Sequence, residues 1–438
     1  MTTQLKRSNA LPGDLIEIEL SKIIYQGTLL ESPENEKSIL LLKLDSGYNI
    51  GLNKKDILKI KVLKKYFQEK SKTKEQEISK SKDKPDIGMI ITGGTIAAKL
   101  NPKKGGVDWL TSTKDLFKYY PELFDIVNVT KIEIPFMKAS EDMDYLDWKK
   151  IAKTAEKLLK NPNIKGIIIT HGTDFLHYTA SALSFMLRNL NKPVVLTYSQ
   201  RSIDRASSDA NLNLKSAGLV AISNIAEVVL VGHANSSDNY CNVMQGTKVR
   251  KNHSSKRDAF QSINSKPLAR INPENKTINI LNQNFKTRNT KNKIKIDTKF
   301  NNKVALIKIY PGQPPEILDF YKKQKYNGLI LEMSGLGHAP TKRSRTSWTN
   351  KLKQIQKSGI IVCATTQCIN GRTNPFVYSN GRELLDTGII YLNDMLSETA
   401  LVKLSWVLGH EDWSKNKKII KEKMLYNFSK EISKRLEK

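Results

Sequence analysis

Two threonines in this chain follow glycines in short turns, each just beyond an apolar run, a setting in which a hydroxyl can attack a carbonyl. The first lies in Thr92-Gly93-Gly94-Thr95-Ile96-Ala97, after residues 87–91. The second lies in Thr170-His171-Gly172-Thr173-Asp174, after residues 164–169. Glycines before each threonine let a substrate approach the backbone closely, and their N–H groups can hold a developing oxyanion. The arrangement suits acyl transfer. A threonine hydroxyl is a poor nucleophile at neutral pH, so a base must accept its proton and another group must orient that base. Asp174 directly follows Thr173, and Lys251 ends the polar loop segment 246–251. A lysine serves as base only where burial or neighbouring charge lowers its pKa; Arg250 and Lys248 come next should Lys251 fail. Thr and Asp also cap helices, so each turn alone can be a plain strand-to-helix connection. The two turns together with Lys251 favour chemistry.

Such turns need strands that end side by side. Residues 87–91, 164–169, 194–196 and 228–231 are continuous apolar runs, as in strands buried on both faces. Trp148, Ile151, Ala152, Ala155, Leu158 and Leu159 keep the spacing of an amphipathic helix, and residues 176–187 read as another. The pattern predicts a parallel sheet with flanking helices, whose ligand site lies at the carboxyl ends of the strands. A polar stretch at 272–302 precedes a second series of runs at 304–309, 329–331 and 360–364. Before all of this, runs at 15–20 and 39–44 and the hairpin signal Asp45-Ser46-Gly47 predict a barrel of about five strands. The fold class is therefore α/β, two domains with parallel sheets preceded by a small N-terminal β-barrel. Its expected parts are the barrel at 1–65, a charged linker at 66–84, a first α/β domain with the catalytic residues at 85–285, and a second at 286–438. The last ends in a basic amphipathic helix over 415–438, expected to be solvated.

The chain has 438 residues, enough for two or three domains at ~150 residues each. Three cysteines, Cys241, Cys363 and Cys368, are too few and scattered for a disulfide framework. With neither a signal-like N-terminus nor an apolar run of ~20 residues, the expectation is a cytoplasmic protein without a membrane span. Seventy-two Lys and Arg against 43 Asp and Glu leave a formal charge of +29, which attracts polyanions; a lysine-rich composition accounts for the excess equally well. Neither His171 nor His338 has a second ligand at i+4, so no metal is expected.

Taken in order, TGGTIA at 92–97, SED at 140–142, HGTD at 171–174 and VRKNHSS at 249–255 resemble the motifs of the L-asparaginase family. Within it, QRSIDRASSDANLNL at 200–214, VRKNHSSKRDAF at 249–260, GLGHAP at 335–340 and DMLSETALVKLSWVLGH at 394–410 resemble the D subunits of archaeal tRNA-dependent amidotransferases. The N-terminal β unit, absent from plain asparaginases, resembles theirs too. The resemblance implies that Thr95 is the primary nucleophile or shares that role with Thr173, that Thr173, Asp174 and Lys251 form a second cluster, and that Ser140 and Glu141, with Gly94 and Gly172, bind substrate. It further implies a glutaminase that releases ammonia from glutamine to a companion subunit of the E type, which amidates Glu-tRNA(Gln). A homodimer core within a heterotetramer is expected. No cofactor is expected in this chain; ATP and Mg belong to the companion.

The chain also departs from the pattern. No tyrosine stands at the family's spacing after Thr95; Trp109 is nearest, then Tyr119 and Tyr120. Phe175-Leu176 replaces Thr-Met, and Met333-Ser334 replaces Gly-Thr. The polar, glycine-bearing stretch 101–113 reads as a lid or as an ordinary surface loop. The alternatives are a free-standing L-asparaginase and, in another class, a catalytically silent nucleic-acid-binding scaffold.

Overall fold

A computed structural model describes residues 9–31, 38–45, 49–66, 81–100, 107–109, 120–203 and 208–433. The N-terminal unit is an antiparallel sheet of five strands, in the order Asn49–Asn53, Ile39–Lys43, Ile24–Leu29, Leu15–Glu19, Lys59–Lys64. Alternation along these strands turns Ile16, Ile18, Leu29, Leu40, Leu42 and Ile60 into a core of their own. The hairpin turn at 46–48 and most of the linker, residues 67–80, lie outside the described residues.

The large sheet has eight strands. Four run parallel: Asp86–Ile91 lies beside Ile164–Thr170, then come Val194–Thr197 and Val228–His233. Their side chains are buried on both faces, as their unbroken apolar runs predict. Asn128–Glu133 joins parallel on the other flank of Asp86–Ile91, and Cys241–Gln245, Ala269–Asn272 and Thr277–Ile280 extend the sheet antiparallel. The chain leaves Asp86–Ile91 for one neighbour and returns to the sheet on its other side as Ile164–Thr170. That reversal makes the switch point at which an open sheet binds ligands.

A second sheet of four parallel strands comprises Val304–Lys308, Gly328–Met333, Ile361–Thr366 and Ile390–Tyr391. The two sheets share one core. Helix Leu176–Met186 carries no acidic residue, lysine or arginine and is buried at nearly every position, as expected of a helix packed on all sides. It lies against the equally buried helix Ser397–Leu408, where Phe185 stacks on Trp406 with ring centroids 5.7 Å apart.

The terminal segment differs from its expectation. Helix Lys417–Leu425 stops at Leu425, and the chain folds back instead of continuing as a solvated helix; residues 434–438 lie outside the described residues. The cause is an ion pair, Lys403 Nζ to Glu431 Oε1 at 2.6 Å, both side chains 0% exposed. Lys403 also donates to the carbonyls of Met424 and Tyr426, while Glu431 accepts from the N–H groups of Phe428 and Ser429. A buried pair persists only when its remaining polar atoms are satisfied in this way.

Candidate active site

The two threonine turns meet backbone to backbone. Thr170 pairs with Ile91 in the ladder, and Thr92 donates both its N–H and its hydroxyl to the Thr170 carbonyl, at 3.2 and 2.8 Å. Just beyond Thr92, Gly94 has φ +83°, and a Cβ placed there would lie 2.3 Å from Gly172 N. Only glycine permits this approach. Thr95 and Thr173 thus stand one residue beyond the point of contact.

Neither threonine caps a helix. Thr95 opens the short 3-10 turn Thr95–Ala97 without a side-chain cap bond, and Tyr120, buried, steadies that turn by donating its hydroxyl to the Ile96 carbonyl at 3.0 Å. The orphan donors before helix Leu176–Met186 are taken by Ser140, whose Oγ accepts from Asp174 N at 3.1 Å and Phe175 N at 3.3 Å. Thr173 Oγ1 is thereby left to the lysine. Lys251 Nζ donates to it at 2.8 Å and to Asp174 Oδ1 at 2.7 Å. The Lys251 side chain is 8% exposed, whereas Asp174 is 57% exposed and opens the cluster to solvent. Lys251 sits on a short strand, Val249–Lys251, paired with Phe260–Ser262, rather than in a loop.

The remaining sequence candidates divide plainly. Ser140 is buried and its hydroxyl also reaches Glu141 Oε2 at 3.3 Å, while Glu141 is exposed on the same turn. His171 is fully buried: Nδ1 faces the Gly172 carbonyl at 2.7 Å, so it carries the proton, and Nε2 accepts from Thr179. Burial pushes its pKa down to about 4, leaving a neutral structural imidazole. Lys248 is directed away from Thr173 into a buried pair with Asp394 at 2.7 Å, and Arg250 pairs with Glu398 at 3.0 Å, so neither substitutes for Lys251. Arg205, Tyr119, the side chain of Trp109 and most of the stretch 101–113 lie outside the described residues; within that stretch, Val107–Trp109 pairs with Ala98–Leu100. No group of metal-binding side chains occurs among the described residues, and no described helix is long and apolar enough to cross a membrane. Sequence reasoning missed the capping role of Ser140 and the grip of Asp394 and Glu398, since contacts between residues so far apart leave no local signal.

Comparison with known proteins bears on the same segments. The asparaginase N-terminal family matches residues 86–286, the glutaminase/asparaginase C-terminal domain matches 303–422, and the GatD N-terminal domain matches 10–63. The D subunit of the glutamyl-tRNA(Gln) amidotransferase of Thermococcus kodakarensis is 42% identical over 96% of this chain and 94% of its own. The chain belongs to the family of glutamyl-tRNA(Gln) amidotransferase D subunits. The corresponding D subunit of Saccharolobus islandicus strain M.16.27 is likewise 42% identical, over 93% of this chain and 90% of its own. Among solved structures, the thermostable L-asparaginase from Thermococcus kodakarensis superposes with a TM-score of 0.69 at 29% identity, covering 80% of this chain and 99% of its own. L-asparaginase I from Vibrio cholerae gives 0.67 at 30%, with the same coverage. The asparaginase-like α/β fold preceded by the N-terminal β unit is therefore that of the amidotransferase D subunits, with their asparaginase-type amidohydrolase domain.

Proposed function

We propose that this chain hydrolyses the side-chain amide of glutamine and delivers the ammonia to a companion amidotransferase subunit, which converts Glu-tRNA(Gln) to Gln-tRNA(Gln). The observation that carries the reading is the bridge of Lys251 Nζ between Thr173 Oγ1 and Asp174 Oδ1, beside the Thr95 turn. In the proposed reaction the Thr95 hydroxyl attacks the amide carbonyl, the carbon–nitrogen bond breaks, and the nitrogen leaves as ammonia with the hydroxyl proton. Water then cleaves the resulting ester to release glutamate and restore Thr95. Thr173, with Lys251 as its base or electrostatic helper and Asp174 orienting that lysine, activates the water or the nucleophile. Glu141 binds the substrate's α-amino group, Ser140 serves the α-carboxylate end, and the backbone at Gly94 and Gly172 lines the reacting centre. A heterotetramer around a homodimer core, ATP and Mg in the companion, and a cytoplasmic location complete the proposal.

Ammonia is mostly protonated at neutral pH and then useless as a nucleophile, so hydrolysis is best delayed until an acceptor is ready. The test is glutamate release from glutamine by the chain alone and with its companion and Glu-tRNA(Gln), with asparagine as comparison. Low activity alone and a rise on addition are expected. Full asparagine hydrolysis indifferent to both additions would replace this reading with a free-standing asparaginase.

A further inference from the structure

The strand that carries Lys251 is only three residues long. Among the described residues Val249–Lys251 pairs with Phe260–Ser262, with backbone bonds from Ile263 N to the Lys248 carbonyl and from Asn252 N to the Ala259 carbonyl continuing the ladder, and a two-stranded ladder is marginal by itself. Val249 and Phe260 anchor the ladder in the shared core, and the residues leading into it are gripped in addition by side chains of the other α/β unit. Thr399 Oγ1 donates to the Thr247 carbonyl at 3.0 Å and lies 2.9 Å from Ser181 Oγ on the helix that follows Asp174. Asp394 Oδ2 holds Lys248 Nζ at 2.7 Å with both side chains at 1% exposure or less. Glu398 Oε1 holds Arg250 Nε at 3.0 Å. All three residues belong to the segment 394–410, which the proposed chemistry does not use.

We propose that Asp394, Glu398 and Thr399 are positioning residues that set the place of Lys251 against Thr173 and so couple the second α/β unit to catalysis. The inference rests on the proposed role of Lys251. None of the three touches the Thr173–Lys251–Asp174 cluster; each acts on the backbone or side chain of a residue one to four positions before Lys251. Asp394 is further fixed by Ser433 N at 3.0 Å, so the folded-back terminal segment supports the same grip.

The test is a double-mutant cycle in the full chain on Arg250→Gln and Glu398→Gln, read as kcat and KM for amide hydrolysis and as melting temperature. Glu398 Oε2 is buried without a hydrogen-bond partner, so the glutamine fits the same space and removes a buried negative charge. Its melting temperature should hold or rise while kcat falls about tenfold, the scale of a displacement well under 1 Å. KM should stay within about twofold, since neither side chain is proposed to bind substrate. The double variant should be no slower than either single one. Thr399→Val, which loses one hydroxyl, gives a second reading should Glu398→Gln fold poorly, and it too should lower kcat. Wild-type kcat in Glu398→Gln and Thr399→Val, with Lys251→Met inactive, would overturn the grip and leave the role of Lys251 standing. An active Lys251→Met would remove both.

Discussion

Replacing Gly94 by alanine tests whether contact between the two threonine turns makes the site. The new Cβ would lie 2.3 Å from Gly172 N and 2.5 Å from Gly172 Cα and His171 C, all backbone atoms, against an ordinary contact of 3.4 Å or more. One turn must therefore retreat by roughly 1 Å, and a misplacement of that size at a reacting centre costs about 100-fold in rate. The backbone at φ +83°, ψ 165° lies in a region essentially reserved for glycine and adds strain of about 1–3 kcal/mol for a residue with a Cβ, and the overpacking adds about 1–3 kcal/mol. Gly312 supplies the control, because it has a similar φ of +79° but nothing within 4 Å of its Cβ position. Gly312→Ala should carry the strain of a positive φ without a steric clash and keep its activity. The assays are glutamate or aspartate release and chemical denaturation of both variants beside the wild type. Gly94→Ala with activity within about threefold of wild type would refute the close-contact argument, as would an equal loss in Gly312→Ala, given that only the first is expected to move reacting groups.

Thr173→Val, near-isosteric, should abolish amide hydrolysis in a protein that remains folded by circular dichroism; a loss of less than about tenfold would remove Thr173 from the proposed cluster. The buried imidazole of His171 has its pKa lowered from 6.5 to about 4, so the unfolded chain binds the extra proton first as pH falls. Stability linked to His171 is then fully present above pH 6.5 and drains away between pH 6.5 and 4, by roughly 3 kcal/mol. His177, lowered to about 3 by burial, works in the same direction. Denaturation midpoints at pH 7 and 4.5 should fall further for wild type than for His171→Gln, and an equal fall in both would count against the neutral imidazole.

Much of this protein was legible along the chain because burial writes periodicity into sequence. Strands buried on both faces read as apolar runs, so the parallel ladder from Asp86–Ile91 to Val228–His233 could be anticipated. Motif order and spacing singled out Thr95, Thr173, Asp174 and Lys251 without any geometry. The antiparallel extension from Cys241–Gln245 to Thr277–Ile280 was not anticipated, since those strands are short and partly polar. Basic periodicity at 415–438 likewise suggested a solvated helix, because a charge that will be buried by a distant partner looks the same as one left in water. Tertiary structure alone decided that Glu431 is paired with Lys403, that Ser140 rather than a threonine satisfies the helix after Asp174, and that Lys248 is turned into a buried pair with Asp394. Composition and periodicity report how each residue meets solvent or its near neighbours. Hydrogen bonds between residues such as Thr247 and Thr399 depend on the closure of the whole chain, which brings them within 3.0 Å.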